Sequence, residues 1–330
     1  MLTSLFLLVL GFAFLIKGAD WLVEGASTLA KRLGISDLAI GLTIVAFGTS
    51  MPELMVNLVA SVQGDADIAI GNVVGSNIAN ILFILGCSAA LAPVVVRRST
   101  VLKEIPFSLL AVAMLLVMAN DTIIDGYARS ELSRSDGLAL IGFFIIFVAY
   151  TMNLPRMGGE ETPTTRSGTL ASSGQIIIGL VALVTGGKLA VDSAVIIAGL
   201  LGVSEVLIGL TVVALGTSLP ELVTSVVAAL KKKADIAVGN IVGSNIFNIF
   251  WVLGISAVIR PIPFLPAADL DLFVLALATI ILFFVIHDGW IGRRLFLWWR
   301  QRELYVIRRW EGLLMLATYA VYIAYIGWRG

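Results

Sequence analysis

One sequence segment occurs twice in this chain. Residues 41–86 (GLTIVAFGTSMPELMVNLVASVQGDADIAIGNVVGSNIANILFILG) align without gaps to residues 209–254, and 28 of the 46 aligned positions are identical. The offset between the two copies is 168 residues, about half of the 330-residue chain. Self-similarity at a fixed offset indicates that the fold is built from repeated structural units. We therefore expect two related halves.

The composition predicts a membrane protein. Hydrophobic residues make up 59% of the chain and charged residues 13%, whereas a soluble domain carries about 25% charged residues. Runs of about 20 apolar residues are long enough to cross the hydrocarbon core as helices. The net charge of zero gives no indication of nucleic-acid binding. Ten spans are predicted, at 2–30, 38–62, 68–92, 105–119, 137–154, 175–199, 205–230, 235–258, 270–286 and 310–328.

The basic residues predict the orientation, because cytoplasmic loops collect Lys and Arg. With ten spans, sixteen Lys and Arg residues fall on one side of the membrane and four on the other. Both termini should therefore be non-cytoplasmic, in a multi-pass protein of the inner or plasma membrane. The N-terminus has no basic region before its apolar run, so we interpret residues 2–30 as a first span rather than a cleaved signal peptide.

The repeat and the spans together predict an inverted architecture. The offset of 168 residues contains five spans, an odd number, so the second copy should lie upside down relative to the first. We expect an all-α membrane protein of ten transmembrane helices in two inverted five-helix repeats. The first repeat is 1–154, a cytoplasmic linker rich in Gly, Pro, Ser and Thr is 155–174, and the second repeat is 175–330. Inverted repeats recur in secondary transporters, with the binding site near the membrane midplane.

Each repeat carries an acidic residue inside an apolar run, in the phrases GTSMPE (48–53) and GTSLPE (216–221). Pro52 and Pro220 interrupt helical hydrogen bonding and free carbonyl groups that need a partner in hydrocarbon. Glu53 and Glu221 would repel each other unless a proton or a cation lay between them. Intramembrane acids usually serve function, so we expect a cation site here. A protonated pair that only joins helices is the alternative.

A second polar phrase recurs as GNVVGSNIAN (71–80) and GNIVGSNIFN (239–248). Its polar residues at spacings of four should form one stripe on a helix. These are Asn72, Ser76 and Asn80 in the first copy and Asn240, Ser244 and Asn248 in the second, with Asn77 and Asn245 one step around. We interpret the stripes as neutral oxygen ligands that face the glutamates. Hydrogen bonding between helices is the alternative.

The hydroxyls of Thr49, Ser50, Thr217 and Ser218 complete a set of oxygen donors that contains no Cys or His. Such a set suits hard cations such as Ca²⁺ and Na⁺, while zinc or copper would recruit thiolate or imidazole. No protease pair, HExxH motif or phosphate loop is present. We therefore expect a transporter that needs no cofactor and is not an enzyme.

The remaining charged residues allow simpler interpretations. An ion pair one turn apart, or snorkelling of the lysine side chain, accounts for Lys188 and Asp192, although a transport role stays open for Glu24 and Asp192. The loop acids Asp65, Asp67 and Asp235 are interpreted as helix caps. The segment 287–309 mixes Arg with aromatic residues, which predicts a helix lying in the membrane interface.

The paired GTS-x-PE and GSN phrases, in two inverted copies, resemble those of the Ca²⁺/cation antiporter superfamily, and most closely the prokaryotic sodium/calcium exchangers. The resemblance implies ten helices and a core across which spans one and six slide. It also implies that Glu53 and Glu221 are acidic calcium ligands. Further ligands that it implies are Asn80, Asn248, Thr49, Ser50, Ser76, Thr217, Ser218 and Ser244, with Ala46 and Ala214 through their backbones. Asn248 departs from the pattern, since many relatives have aspartate there, which bears on sodium stoichiometry, potassium dependence and proton coupling.

The leading hypothesis is an antiporter that expels Ca²⁺ against inward Na⁺ by alternating access. Exchange of Ca²⁺ or another divalent cation for protons is the alternative in the same class. A passive cation channel is a different class, and the inverted repeat argues against it. The expected partners are the transported Ca²⁺ and Na⁺ (or H⁺) and the lipid bilayer, with no obligatory protein partner.

Overall fold

The computed structural model describes residues 1–97, 100–153, 168–201, 214–264, 268–288 and 304–329. Apart from a π-helical turn at Thr100–Glu104, the described chain up to residue 153 contains seven helices: α1 (Leu2–Leu33), α2 (Asp37–Thr49), α3 (Met51–Gln63), α4 (Ala66–Leu91), α5 (Ile105–Met118), α6 (Asp121–Ile124) and α7 (Arg134–Met152). Six follow: α8 (Thr169–Leu200), α9 (Ala214–Gly216), α10 (Leu219–Leu230), α11 (Ala234–Ile259), α12 (Asp269–Asp288) and α13 (Arg309–Arg329).

Six of these helices are long and apolar enough to cross a membrane: α1, α4, α7, α8, α11 and α13. Helices α2 and α3 together make a seventh candidate, bent by 47° between them. The other helices of the described ranges are not among these candidate spans. Helix occurs in each of the ten predicted spans, although residues 205–213 of the seventh lie outside the described part. The chain is therefore mostly helical, as predicted.

The bend between α2 and α3 follows from the sequence. Ser50 leaves the helical conformation, with φ −82° and ψ 8°, and Pro52 lies in the first turn of α3. Proline has no N–H group to give to the carbonyl four residues back, which here belongs to Gly48. The second copy repeats this at Ser218, with φ −88° and ψ 6°. Each break therefore places a serine between two helices and a glutamate in the first turn of the second.

Helices α1 and α8 pack against each other along glycines spaced by seven residues. A Cβ added at Gly11 would lie 2.7 Å from the Ala190 nitrogen, and one added at Gly186 would lie 2.7 Å from the Gly11 carbonyl oxygen. Gly18 and Gly179 meet in the same way one heptad away. Small residues let helices in membranes approach to backbone contact. In the sequence, this stripe is not distinguishable from the apolar runs around it.

Two short β-ribbons connect the first half of the sequence to the second, so the prediction of a purely α-helical chain is wrong in this detail. Strand β1 (Val94–Arg97) pairs antiparallel with β4 (Leu304–Ile307), and β2 (Ser130–Leu132) pairs with β3 (Ile262–Phe264). In both ribbons, one strand follows the third predicted span of its half and the other precedes the fifth predicted span of the other half. The strands are three or four residues long, too short for the alternating pattern to stand out from the apolar runs around them.

Two predicted boundaries need correction. The linker was predicted over 155–174, but α8 begins at Thr169, because the small residues 169–174 continue into the apolar run; residues 155–167 lie outside the described part. The interfacial helix was predicted over 287–309, but residues 304–307 form strand β4. Pairing with β1 satisfies their backbone groups, which overrides the helical composition. Residues 289–303 lie outside the described part.

The predicted Lys188–Asp192 pair and the Asp65 cap agree with the structure, whereas the predicted caps at Asp67 and Asp235 do not. Lys188 and Asp192 form an ion pair of 3.6 Å along α8. The Asp65 carboxylate caps α4 by accepting a hydrogen bond from the Ile68 N–H group. Asp67 and Asp235 lie in the first turns of their helices, but neither is the residue that precedes the first turn.

Candidate cation site

Glu53 and Glu221 occupy equivalent positions in the first turns of α3 and α10. Each residue keeps only 1% of its surface exposed. The helix breaks at Ser50 and Ser218 bring the two first turns into the same region of the protein. The structure therefore brings together the two acidic phrases, as the repeat predicted.

The two halves exchange hydrogen bonds at these positions. The Ser50 hydroxyl donates to Glu221 Oε1 at 3.1 Å, and the Ser218 hydroxyl donates to Glu53 Oε1 at 3.1 Å. Each glutamate thus receives its serine from the other copy of the repeat. Ser218 also lies 3.3 Å from the Ser76 hydroxyl. The site is shared equally between the halves.

Four asparagines of the GSN phrases form a second reciprocal set. Asn80 Nδ2 donates to Asn245 Oδ1 at 2.9 Å, and Asn248 Nδ2 donates to Asn77 Oδ1 at 3.0 Å. Asn77 Nδ2 further donates to the Asn245 carbonyl oxygen at 3.1 Å. Because the amide nitrogens of Asn80 and Asn248 donate to these asparagines, their Oδ1 atoms point away from Asn245 and Asn77. Asn77 and Asn245 therefore orient Asn80 and Asn248.

The helices widen where Asn80 and Asn248 lie. Residues Ala79–Ile84 of α4 and Asn248–Leu253 of α11 form π-helical turns. Such turns are rare and occur frequently at functional sites. The repeat shows that the two segments are alike, but nothing in the residue pattern predicts the wider turn.

Several buried side-chain oxygens have no hydrogen-bond partner among the described residues. At the predicted site they are Glu53 Oε2, Glu221 Oε2, Asn80 Oδ1, Asn248 Oδ1, Thr217 Oγ1 and Ser244 Oγ. A buried polar atom without a partner costs about 1–3 kcal/mol, and native proteins leave few of them. All six atoms are oxygens, and two belong to carboxyl groups. The set can therefore accept a cation.

Neutral oxygens must complete any coordination around the two carboxylates. Within the described ranges, no group of three or more His, Cys, Asp and Glu residues could hold a metal ion. Among the described residues, neither Glu53 nor Glu221 forms an ion pair. Two carboxylates surrounded by hydroxyl and amide oxygens suit a hard cation.

Other predicted residues contact neighbouring groups of the two repeats. The Thr49 hydroxyl lies 3.3 Å from the Ala46 carbonyl oxygen and 3.0 Å from Asn240 Oδ1. Asn72 Nδ2 donates to the Glu53 carbonyl oxygen at 3.1 Å, and Asn240 Nδ2 lies 3.4 Å from that of Glu221. Asn72 and Asn240 therefore hold the backbone beneath each glutamate. Ala214 begins α9.

Asn57 is a buried polar residue that the sequence reading missed. It is fully buried on α3, accepts a hydrogen bond from Asn72 at 2.7 Å and donates to the Ala69 carbonyl oxygen at 3.0 Å. The repeat places Ser225 at the equivalent position, where it accepts from Asn240 at 3.0 Å. Both residues follow a glutamate by four positions, and this spacing places them on the same helix face as Glu53 and Glu221. It could have identified them from the sequence.

Comparison with known proteins identifies the family. The sequence model described as "Sodium/calcium exchanger protein" matches residues 3–153 and 172–328. The chain belongs to the sodium/calcium exchanger family. Within the Ca²⁺/cation antiporter superfamily, its relatives include the sodium/calcium exchanger MaX1 of Methanosarcina acetivorans, at 33% identity over 98% of both chains. The putative antiporter CaxA of Alkalimonas amylolytica is 36% identical, also over 98% of both chains.

A solved structure also matches the fold of this exchanger-family chain. The sodium-calcium exchanger NCX_Mj superposes with a TM-score of 0.81 at 32% identity, covering 98% of each chain. The apolar helices and this family membership together identify a multi-pass membrane protein of the ion-exchanger type, as the repeated motifs predicted. The ligand roles of the individual residues remain predictions.

Proposed function

We propose that this protein is a secondary antiporter that exchanges Ca²⁺ for Na⁺ by alternating access. The observation that carries the proposal is the buried pair of Glu53 and Glu221, each bonded to a serine of the opposite half and each with one unpartnered oxygen. Its relatives MaX1 and NCX_Mj are named as sodium/calcium exchangers.

The proposed ligands follow from chemistry and position. Two carboxylates balance the charge of one Ca²⁺, and the oxygens of Asn80, Asn248, Thr217 and Ser244 supply the neutral donors that Ca²⁺ and Na⁺ accept. Ser50, Ser218, Thr49, Ser76 and the backbone carbonyls of Ala46 and Ala214 complete the proposed set. An empty site would leave two carboxylates facing each other in a medium of low dielectric, which is costly. The carrier should therefore turn over only when it is loaded.

The proposed topology has ten membrane crossings in two inverted halves, 1–154 and 175–330, joined by a cytoplasmic linker, with both termini outside the cytoplasm. The five-span offset of the repeat, the distribution of Lys and Arg, and the reciprocal contacts of the halves support it. Spans one and six, which are helices α1 and α8, would slide across the core that bears the site. Their glycine contact brings the two helix backbones close together.

The first experiment measures radioactive Ca²⁺ uptake into proteoliposomes preloaded with Na⁺, with Na⁺-free vesicles and vesicles carrying a pH gradient as controls. We expect uptake that requires internal Na⁺ and disappears in Glu53→Gln. Glu131→Gln is the matched control, since this glutamate is exposed at strand β2, and it should keep wild-type uptake.

Other outcomes assign other functions. Uptake driven only by the pH gradient would identify proton-coupled exchange of Ca²⁺, for which one glutamate would carry the proton. Flux that requires no counter-ion and does not saturate would identify a channel. Unchanged Ca²⁺ transport in Glu53→Gln and Glu221→Gln would remove these carboxylates from the site.

A further inference from the structure

Two lysines in the turn between α10 and α11 join that turn to α1. The Lys231 ammonium pairs with the Asp20 carboxylate and lies 2.7 Å from Glu24 Oε1. Lys233 Nζ lies 2.8 Å from the Ser27 hydroxyl and 3.5 Å from Asp37 Oδ2. We call Asp20, Glu24, Ser27, Asp37, Lys231 and Lys233 the ionic latch.

The two lysines of the latch are not repeated in the sequence of the other half. The offset of 168 residues places Lys188 and Asp192 of α8 at the positions of Asp20 and Glu24, and they pair with each other along the helix instead. The turn residues equivalent to Lys231 and Lys233 are Gln63 and Asp65, so that turn carries no lysine. A perfectly symmetric inverted repeat would favour neither side of the membrane, and the latch breaks that symmetry.

Asn240, on the side of the latch, is more buried than its equivalent in the other half of the repeat. Asn240 lies on α11 between the ligand Ser244 and the turn with Lys233, and it is fully buried. Its equivalent Asn72, on the other side of the site, is partly exposed.

Helix packing accounts for part of the burial of Asn240. A Cβ at Gly243 of α11 would lie 2.7 Å from the Ala46 Cβ of α2, and one at Gly239 would lie 2.9 Å from the Leu38 carbonyl oxygen. Helix α11 thus contacts α2 directly on the latch side. An ion leaving toward that side must displace these elements.

Lys231 stays charged when the latch is formed. Partial burial opposes its charge, but hydrogen bonds and charge interactions with Asp20 and Glu24 outweigh that effect and raise the pKa of Lys231 above its ordinary value. A lysine with a raised pKa loses its pairing only as the pH rises through that pKa, well above neutrality. The latch is therefore closed at neutral pH by a full positive charge.

We propose that Lys231 is a positioning residue that holds α1 over the site, so that ions bind with weaker apparent affinity from the face of the membrane that carries the latch. This rests on the proposed exchange function. The Lys and Arg distribution predicts that this face is cytoplasmic. When fewer molecules are open to one face, the apparent affinity for an ion that binds from that face is lower.

The test compares half-saturating Ca²⁺ concentrations on the two faces, measured in right-side-out and inside-out vesicles. In the wild type, the value on the latch face should be the higher. Lys231→Gln should lower the ratio of the two values about two- to five-fold, the range expected for a partly exposed ion pair. Lys231→Arg should retain the wild-type ratio, and Lys188→Gln, which breaks the pair within α8, should leave it unchanged.

A second measurement does not depend on which ion is transported. In a Cys87→Ser background, Ala228→Cys places a thiol at a buried position of α10, and a membrane-impermeant maleimide should alkylate it from the latch face. Lys231→Gln should accelerate the alkylation about two- to five-fold. If Lys231→Gln accelerates alkylation but the wild type shows no Na⁺-dependent Ca²⁺ uptake, the proposed exchange function is wrong and the proposed latch stands. Unchanged alkylation and an unchanged affinity ratio in an active Lys231→Gln protein would overturn the latch.

Discussion

Gly18 of α1 and Gly179 of α8 touch through their backbones: a Cβ on either residue would lie 2.8 Å from the carbonyl oxygen of the other. Any side chain at these positions must push the two long helices apart. The two helices are those proposed to slide during transport, so their spacing should affect exchange directly.

Gly18→Val or Gly179→Val should therefore reduce Ca²⁺ exchange by at least about tenfold, because overpacking of a tight contact costs about 1–3 kcal/mol. Initial uptake rates in proteoliposomes measure the effect. Gly174→Val is the control, since no described atom lies within 4 Å of a Cβ placed there. Equal rates in all three variants would show that the glycine contact does not limit transport.

Removing either reciprocal serine should weaken ion binding to a similar degree. Ser50→Ala and Ser218→Ala each remove one hydrogen bond to a glutamate of the opposite half, and hydrogen bonds to charged groups contribute about 1.5–3 kcal/mol. We expect the half-saturating Ca²⁺ concentration to rise by an order of magnitude in each variant. Ser61→Ala is the control, because that hydroxyl donates only to the carbonyl of its own helix, at Asn57. A large effect of one serine and none of the other would contradict a symmetric site.

Asn248→Asp should make Ca²⁺ binding depend on pH. Asn248 donates to Asn77 Oδ1, which a protonated aspartic acid can do and a carboxylate cannot. Ionisation would instead add a third negative charge to the site. We expect the half-saturating Ca²⁺ concentration to fall about tenfold between pH 5.5 and 8.5, beyond any change in the wild type. Asn153→Asp, at the exposed end of α7, should show no added pH dependence. A wild-type profile in Asn248→Asp would mean that this position does not contact the ion.

Tyr150→Phe should destabilise the protein without altering the ion site. The Tyr150 hydroxyl donates to Glu104, a fully buried residue before α5 whose other carboxyl oxygen has no partner among the described residues. Loss of this partner should cost about 1–3 kcal/mol, measured as a lower thermal unfolding temperature in detergent. Glu104→Gln in the same chain should recover part of the loss. Tyr127→Phe, at an exposed position, should unfold like the wild type.

The repeat predicted that the two acidic phrases meet, because the expected five-span offset and a proline in each copy favour two helix breaks that face each other. The residue pattern also singled out Glu53, Glu221, Asn80 and Asn248, each of which has an oxygen without a partner among the described residues. It could not separate these from Asn72 and Asn240, which have the same spacing but support backbone carbonyls. The amide nitrogens of Asn80 and Asn248 donate to asparagines of the other half. Those of Asn72 and Asn240 donate within their own half, and the sequence does not show this difference.

The features missed from the sequence depend on contacts between distant residues. Strand β1 is a short apolar stretch whose partner lies about 200 residues later, and no local period indicates that pairing. Lys231 lies in a polar turn of the kind that usually faces solvent, and only the approach of α1 shows that it is paired. In the sequence, Gly11 and Gly18 look like ordinary members of an apolar span. Their seven-residue spacing becomes significant only because α8 packs against them.

The pairing of β1 with β4 has a consequence for how the protein is made. Val94 leaves the ribosome long before Ile307, its partner in the ribbon, so the first half waits with an unpaired strand until the last span is in place. Insertion of the spans and completion of the fold must then be separate events. For the same reason, a chain cut within the linker and expressed as two pieces should reassemble, since both ribbons join one piece to the other.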